Sequence, residues 1–175
     1  MNKEWAEQNT LMQLQLKKKD TFAEGIDTLI ALRKDLMAQI LQFKEELSQE
    51  DFSAMPYRNA KGYHSKTIAY SLWHIFRIED IVAHTLIADD EQVFFQGEYQ
   101  NCIHAPIITT GNELVKEEIQ EFSKQLEIDE LYNYITEVDR STTEILKELT
   151  YEDSRKKIAD EKRQKVEYLN VVSKD

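Results

Sequence analysis

The stretch Ser71-Leu72-Trp73-His74-Ile75-Phe76-Arg77-Ile78-Glu79-Asp80 decides the fold of this chain. It lies in a segment from about Ser65 to Ala88 whose side chains are apolar over more than half of a helical circumference. A helix with so wide an apolar surface is normally buried among other helices. The stretch therefore predicts an all-α protein with one histidine, His74, on its central helix.

The rest of the chain supports the same fold class. It has only four glycines and two prolines in 175 residues, and most of them fall within residues 51–65 and 89–111, which we expect to be loops. We predict a first helix over 21–47 that starts at a capping box of Thr21 and Glu24, a third helix from about Asn112, and a fourth that is capped by Asp129 and ends near residue 149. The last two could also be one kinked helix.

The two ends of the chain differ from this pattern. Residues 151–175 are mostly charged, and an apolar series that begins at Val166 has hardly started when the sequence stops. We therefore expect a single helical-bundle domain over 1–175 that is incomplete at its C-terminus, with residues 1–19 as an N-terminal extension that could supply the last helix.

The formal charge of −11 limits the choice of partners. Residues 89–149 carry 15 acidic and 4 basic side chains, and such a surface repels phosphate backbones, so we expect no nucleic-acid binding. No segment has the roughly 20 apolar residues of a membrane span. One cysteine and no secretion signal lead us to expect a soluble cytoplasmic protein.

His74 is the first candidate for chemistry. A polar ring on an apolar helix needs a partner, which is a hydrogen-bonding neighbour, a metal or solvent. His74 lies about 140° around the helix from Glu79, so the two cannot share one ligand. We expect His74 to face a cavity between helices, and Glu79 to be a buried or interface carboxylate that is paired with a base or hydrogen-bonded.

The remaining polar groups carry weaker signals. Asp80 and His84 are four residues apart, and with Arg77 close by we predict an exposed Asp–His or Asp–Arg pair. No His-x-x-x-His, His-Glu-x-x-His or Glu-x-x-His occurs, which excludes zincin-like proteases and ferritin-like di-iron centres. We predict that His64 caps the second helix and that Cys102 and His104 lie on a flexible loop. The acidic runs 89–91 and 117–121 are predicted to be solvated.

Four motifs in this order and spacing resemble the DinB-like family over about residues 20–150. They are Lys61-Gly62-Tyr63-His64-Ser65-Lys66-Thr67-Ile68, Leu72-Trp73-His74-Ile75-Phe76-Arg77-Ile78-Glu79-Asp80, Asp90-Glu91-Gln92-Val93-Phe94-Phe95, and Thr110-Gly111-Asn112-Glu113 with the acidic segment that follows it. The resemblance implies a four-helix bundle and a homodimer. It gives no reason to expect DNA binding.

The resemblance also implies a metal site. His74 matches the first of three histidine ligands, and the other two, a His-x-x-x-His on the last helix, have no counterpart because no histidine follows His104. A divalent metal such as Zn, Ni or Fe is therefore implied, but a single imidazole would not hold it tightly.

Two functions follow. One is a metal-dependent enzyme of the hydrolase or small-thiol transferase type, with an unknown small-molecule substrate and His74 as a ligand. The other is a non-catalytic helical bundle that self-associates or binds a protein.

Overall fold

The computed structural model describes residues 3–57 and 65–172, and every regular element within these ranges is helical. The predicted all-α class is therefore confirmed. None of the described helices combines the length and the apolar character that crossing a membrane requires. The contacts within the chain define two compact units, so the predictions of one domain and of a four-helix bundle stay predictions.

The first unit comprises the described residues of Met1–Glu46 and Thr142–Lys157. It contains α1 (Lys3–Gln15), α2 (Phe22–Glu46), the last turns of α8 (Ile128–Glu148) and α9 (Tyr151–Ser154). Phe22, Ile26 and Leu146 form its buried core. Residues 1–19 therefore contribute a helix that packs against α2.

The second unit comprises the described residues of Leu47–Ser141 and Ile158–Asp175. Its elements are α3 (Gln49–Ser53), α4 (Ile68–Asp80), a π-helix (Ile81–Ala88), α5 (Val93–Gln96), α6 (Tyr99–Cys102), α7 (Glu117–Gln125), the first part of α8, and α10 (Asp160–Tyr168). Trp73 is fully buried at its centre and packs edge-on against Phe94 and Phe122, with ring centroids 5.5 and 5.4 Å away.

The central helix α4 begins at a capping threonine and continues into π-helical turns. Thr67 caps α4, because its hydroxyl accepts the backbone N–H of Tyr70 at 3.1 Å. After Asp80 the backbone continues in wider π-helical turns as far as Ala88, and Asp89 then adopts the left-handed conformation with φ 62°. Wide turns of this kind are uncommon and often mark functional positions.

Several predicted boundaries differ from the observed ones. Thr21 does not form the predicted capping box, since its hydroxyl donates to the carbonyl oxygen of Gln15 at 2.9 Å. The capping boxes that do form are Ser48 with Asp51 and Thr150 with Asp153. The third helix begins at Glu117 and not near Asn112, and α7 and α8 are separate helices.

The charged C-terminal segment contains a helix with buried apolar residues. Val166 and Leu169 are buried against Ile81 of the π-helix, so α10 contributes to the core of the second unit. Lys162 on α10 also forms an ion pair with Asp89, with Nζ and Oδ1 3.1 Å apart.

Candidate functional site

His74 is half-buried on α4, one turn after Tyr70. The two rings are nearly parallel, with their centroids 5.6 Å apart and an angle of 9° between the planes. Nδ1 of His74 lies 3.0 Å from the carbonyl oxygen of Thr110. A carbonyl oxygen only accepts, so Nδ1 carries a proton, and in the neutral ring Nε2 keeps a lone pair.

The loop that carries this carbonyl is held by the end of α10. Thr110 is fully buried, and its backbone N–H donates to the Leu169 carbonyl oxygen at 3.1 Å while its hydroxyl donates to the Asn170 carbonyl oxygen at 2.6 Å. The side-chain amide of Asn170 donates to Glu113 at 2.8 Å. The position of His74 is therefore coupled to the C-terminal segment through Thr110.

The surroundings of His74 are partly desolvated. The ammonium group of Lys66 lies 4.5 Å from the centroid of the Tyr70 ring, and burial lowers the pKa of Lys66 below its usual range. Burial, assisted by the charge of Glu113, raises the pKa of Tyr70 above its usual range. The Tyr70 hydroxyl donates to the Gly111 carbonyl oxygen at 3.1 Å, so the phenol stays neutral and fixes the same loop.

A complete metal site requires three or four donors that converge on one point. Within residues 3–57 and 65–172, no group of three or more His, Cys, Asp or Glu side chains is arranged to hold an ion. The predicted cap residue His64 lies outside the described residues. The described residues therefore do not fit a complete resident metal centre, and His74 stands as a single imidazole donor.

The most extensive polar cluster of the second unit surrounds Arg77 and Asp80, whose side chains are fully buried. Arg77 Nη1 donates to Asp80 Oδ2 at 3.0 Å, and the hydroxyl of Tyr134 donates to the same oxygen at 2.9 Å. The backbone N–H groups of Val93 and Phe94 donate to the two Asp80 oxygens at 2.9 and 3.0 Å. Asp80 thus joins α4 to the first turn of α5.

The guanidinium of Arg77 has its other hydrogens satisfied as well. Nε and Nη2 donate to the carbonyl oxygen of Ile108 at 3.3 and 2.7 Å, and Nη2 also donates to Gln92 Oε1 at 3.1 Å. Its carbon lies 4.3 Å from the centroid of the Phe94 ring. Because the charge and all N–H groups of Arg77 have partners, this cluster acts as a structural anchor. Burial in the same cluster raises the pKa of the Tyr134 hydroxyl well above its usual range.

His84 forms a second polar cluster. Its side chain is 4 % exposed, Nδ1 lies 2.5 Å from Asp90 Oδ1, and Nε2 lies 3.1 Å from the hydroxyl oxygen of Ser141 on α8. Asp80 Oδ1 is 3.8 Å from Nε2. A histidine that is placed between a carboxylate and a serine hydroxyl is an arrangement that can activate the hydroxyl oxygen.

The structure corrects two of the predictions about charged groups. The Asp–Arg pair exists, but Asp80 and Arg77 are buried and not exposed. Asp90 was predicted to be solvated, and its half-exposed carboxylate instead binds His84. Glu79 is partly buried, as its place on the apolar line of α4 suggested.

Cys102 is exposed at the end of α6, and His104 two residues later has its Nδ1 3.5 Å from Glu127 Oε1. The imidazole therefore pairs with a carboxylate of its own unit. Nothing in this geometry joins the thiol to a base.

Sequence reasoning missed Tyr134, Gln92 and Ser141. Tyr134 and Gln92 complete the Arg77 cluster, and Ser141 contacts His84. Arg77 on an apolar helix was a signal that polar partners must exist, but it did not say which residues they are. Their identity depends on how α4, α5 and α8 pack.

Comparisons of this chain with models of known families, with curated proteins and with solved structures found no match. The DinB-like resemblance therefore depends on the four motifs quoted above. The His74 and His84 clusters are the polar sites whose geometry bears on function.

Proposed function

We propose that the protein is a DinB-like metal-dependent enzyme, of the hydrolase or small-thiol transferase type, in which His74 is one donor of an incomplete site for Zn, Ni or Fe. A second copy of the chain in a homodimer adds its own His74 as a second donor, and water or substrate would fill the remaining coordination positions. The observation that carries the proposal is the hydrogen bond from His74 Nδ1 to the Thr110 carbonyl oxygen. It fixes the ring and leaves Nε2 as the donor atom.

The proposal also explains why the metal should be held weakly. One imidazole loses a divalent ion at cellular concentrations, and the described residues contain no group of three or more donors that could hold the ion. We therefore expect the purified monomer to carry far less than one metal per chain. We also expect added Zn²⁺ to favour the dimer, because two copies bring two imidazoles to one ion.

Sedimentation velocity with and without Zn²⁺ tests this expectation. Native protein should shift from monomer to dimer on addition of Zn²⁺ and return on addition of a chelator, and His74→Ala should stay monomeric. His104→Ala is the matched control, since His104 is exposed and paired with Glu127, and it should behave like native protein. Equal responses of native protein and His74→Ala, or no Zn²⁺ binding to either, would contradict the proposal.

The second candidate is a non-catalytic helical protein that self-associates. One stripe of α2 supports it, because Leu36 and Phe43 are seven residues apart on one helical face and leave 41 % and 42 % of their surface exposed. This candidate predicts dimers that form without metal. Leu36→Glu should then dissociate them while His74→Ala leaves them intact, which is the opposite of the metal-dependent result.

A further inference from the structure

From the cluster around His84 we propose that Ser141 is an activated nucleophile, with His84 as its base and Asp90 as the group that orients the base, and that it accepts the acyl group of small neutral esters. This activity is separate from the His74 site. Its elements are a hydroxyl, an imidazole and a carboxylate in one hydrogen-bonded line.

The tautomer of His84 follows from its partners. The Asp90 carboxylate lies 2.5 Å from Nδ1 and accepts its proton, so Nε2 of the neutral ring keeps a lone pair. The hydroxyl of Ser141 lies 3.1 Å from Nε2 and can donate to it. This is the protonation pattern that a general base needs in order to take the proton of a serine.

The backbone fixes His84 and Asp90 relative to each other. The backbone N–H of Asp90 donates to the carbonyl oxygen of His84 at 3.1 Å, and the left-handed φ of 62° at Asp89 turns the chain back over the end of the π-helix. Lys162 on α10 holds Asp89 through an ion pair. The imidazole and its carboxylate are therefore linked by both a side-chain and a backbone hydrogen bond.

Ser141 differs from Ser123 and Thr136, two other hydroxyl residues on helices of this unit. Ser123 and Thr136 donate to the carbonyl oxygens four residues before them, at 2.7 and 2.8 Å, as hydroxyl groups in helices commonly do. The hydroxyl of Ser141 contacts His84. Ser141 is also half-buried whereas His84 is almost fully buried, so the base is more shielded from water than the serine.

The surrounding charges indicate which esters fit. The carboxylates of Asp80 and Asp90 lie on the two nitrogen sides of the imidazole, and Asp89 is adjacent. Asp80 and Asp90 stabilise the imidazolium that forms when Nε2 takes a proton, and the half-exposed Asp90 carboxylate repels an anionic acyl group. The suitable substrates are therefore neutral esters.

The reaction would proceed in two balanced steps. The oxygen of Ser141 forms a bond to the ester carbonyl carbon as its proton passes to Nε2, and the bond from that carbon to the alcohol oxygen breaks while Nε2 returns the proton to the leaving alcohol. Water then attacks the acyl-serine with the same proton transfers. This releases the carboxylic acid and restores the hydroxyl.

A fluorophosphonate probe tests the proposal in the full-length chain. Native protein should be labelled once, with the added mass on the peptide that contains Ser141, and Ser141→Ala should not be labelled. Ser71→Ala is the matched control, because Ser71 is a half-buried helical serine that donates to the Thr67 carbonyl oxygen at 2.8 Å, and it should be labelled like native protein.

Asp90→Asn tests the group that orients the base without opening the core, since the Asp90 side chain is 52 % exposed. Labelling should slow by roughly 100-fold, because without the carboxylate His84 is no longer held in the tautomer that takes the serine proton, and general-base catalysis contributes at least that much. The thermal unfolding of this variant should match that of native protein. Absence of a label on native protein, label on a different residue, or an unchanged rate in Asp90→Asn would overturn the proposal.

Discussion

Replacing Asp80 by asparagine should reveal how much the buried Arg77 cluster contributes to stability. The Asp80 carboxylate accepts hydrogen bonds from Arg77, Tyr134, Val93 and Phe94, and it carries the charge that neutralises the guanidinium. Asparagine keeps one acceptor oxygen. At the position of Oδ2 this oxygen accepts the hydrogen bonds of Arg77, Tyr134 and Phe94. Its amide nitrogen then faces the N–H of Val93, and the charge of Arg77 loses its partner.

The expected cost follows from these losses. Breaking a fully buried ion pair by neutralising one partner costs about 3–5 kcal/mol, and we expect Asp80→Asn to lower the free energy of unfolding by about 4 kcal/mol. With a urea dependence of about 2 kcal/mol per molar, the midpoint of urea unfolding should fall by about 2 M. Tyr134→Phe removes only one hydroxyl from the cluster and should cost about 1–2 kcal/mol.

Tryptophan fluorescence during urea unfolding reports on this region, because Trp73 is fully buried in the same unit. A Trp5→Phe background removes the signal of the other tryptophan. Asp160→Asn is the control for neutralising an aspartate, since the Asp160 side chain is 86 % exposed, and it should change stability by less than about 0.5 kcal/mol. A loss below about 1 kcal/mol in Asp80→Asn, with an unchanged urea dependence, would refute the reasoning.

Three further predictions concern other parts of the chain. Burial raises the pKa of Tyr132 to about 12, whereas an unfolded tyrosine ionises near its ordinary value of 10, so this residue lowers stability as the pH rises from 10 towards 12. Unfolding at pH 8 and pH 11 should show a smaller alkaline loss in Tyr132→Phe than in native protein. Gly111→Ala should cost more than about 1 kcal/mol in a thermal melt, because φ is +81° and the new Cβ would lie 3.0 Å from the Tyr70 ring. Leu146→Ala should cost about 3 kcal/mol by circular dichroism in urea, since it removes buried contacts with Phe22, whereas an unchanged midpoint would show that this core contributes little.

Local patterns predicted the long helices but not the short ones, since α3, α5, α6 and α9 were not predicted. The first long helix was predicted over 21–47 and is observed at Phe22–Glu46, because its apolar periodicity and the breakers near its end are local signals. The start of the third helix was wrong. Lys116 has a non-helical backbone with φ 50°, which separates residues 112–115 from α7, and the side chain of Asn112 donates to the distant carbonyl oxygen of Asn170.

The candidate sites were less predictable than the helices. The sequence singled out His74 from its place on an apolar helix, but not its acceptor, a carbonyl oxygen 36 residues later. The spacing of Asp80 and Arg77 predicted an ion pair but not its burial, because spacing along one helix contains no information on which elements pack against that helix. Ser141 carried no signal at all, since it meets His84 across 57 residues.

The sequence by itself therefore determined the all-α class, the central helix and the positions of its polar residues, because these depend on periodicity and on breakers close along the chain. Only the tertiary structure decided that Asp80 anchors α5, that Thr110 orients His74 and that His84 lies between Asp90 and Ser141. The contacts of His74 with Thr110 and of His84 with Ser141 join residues 36 and 57 positions apart. The physical reason is that burial forces each polar group to find a partner, and packing determines which partner is within reach.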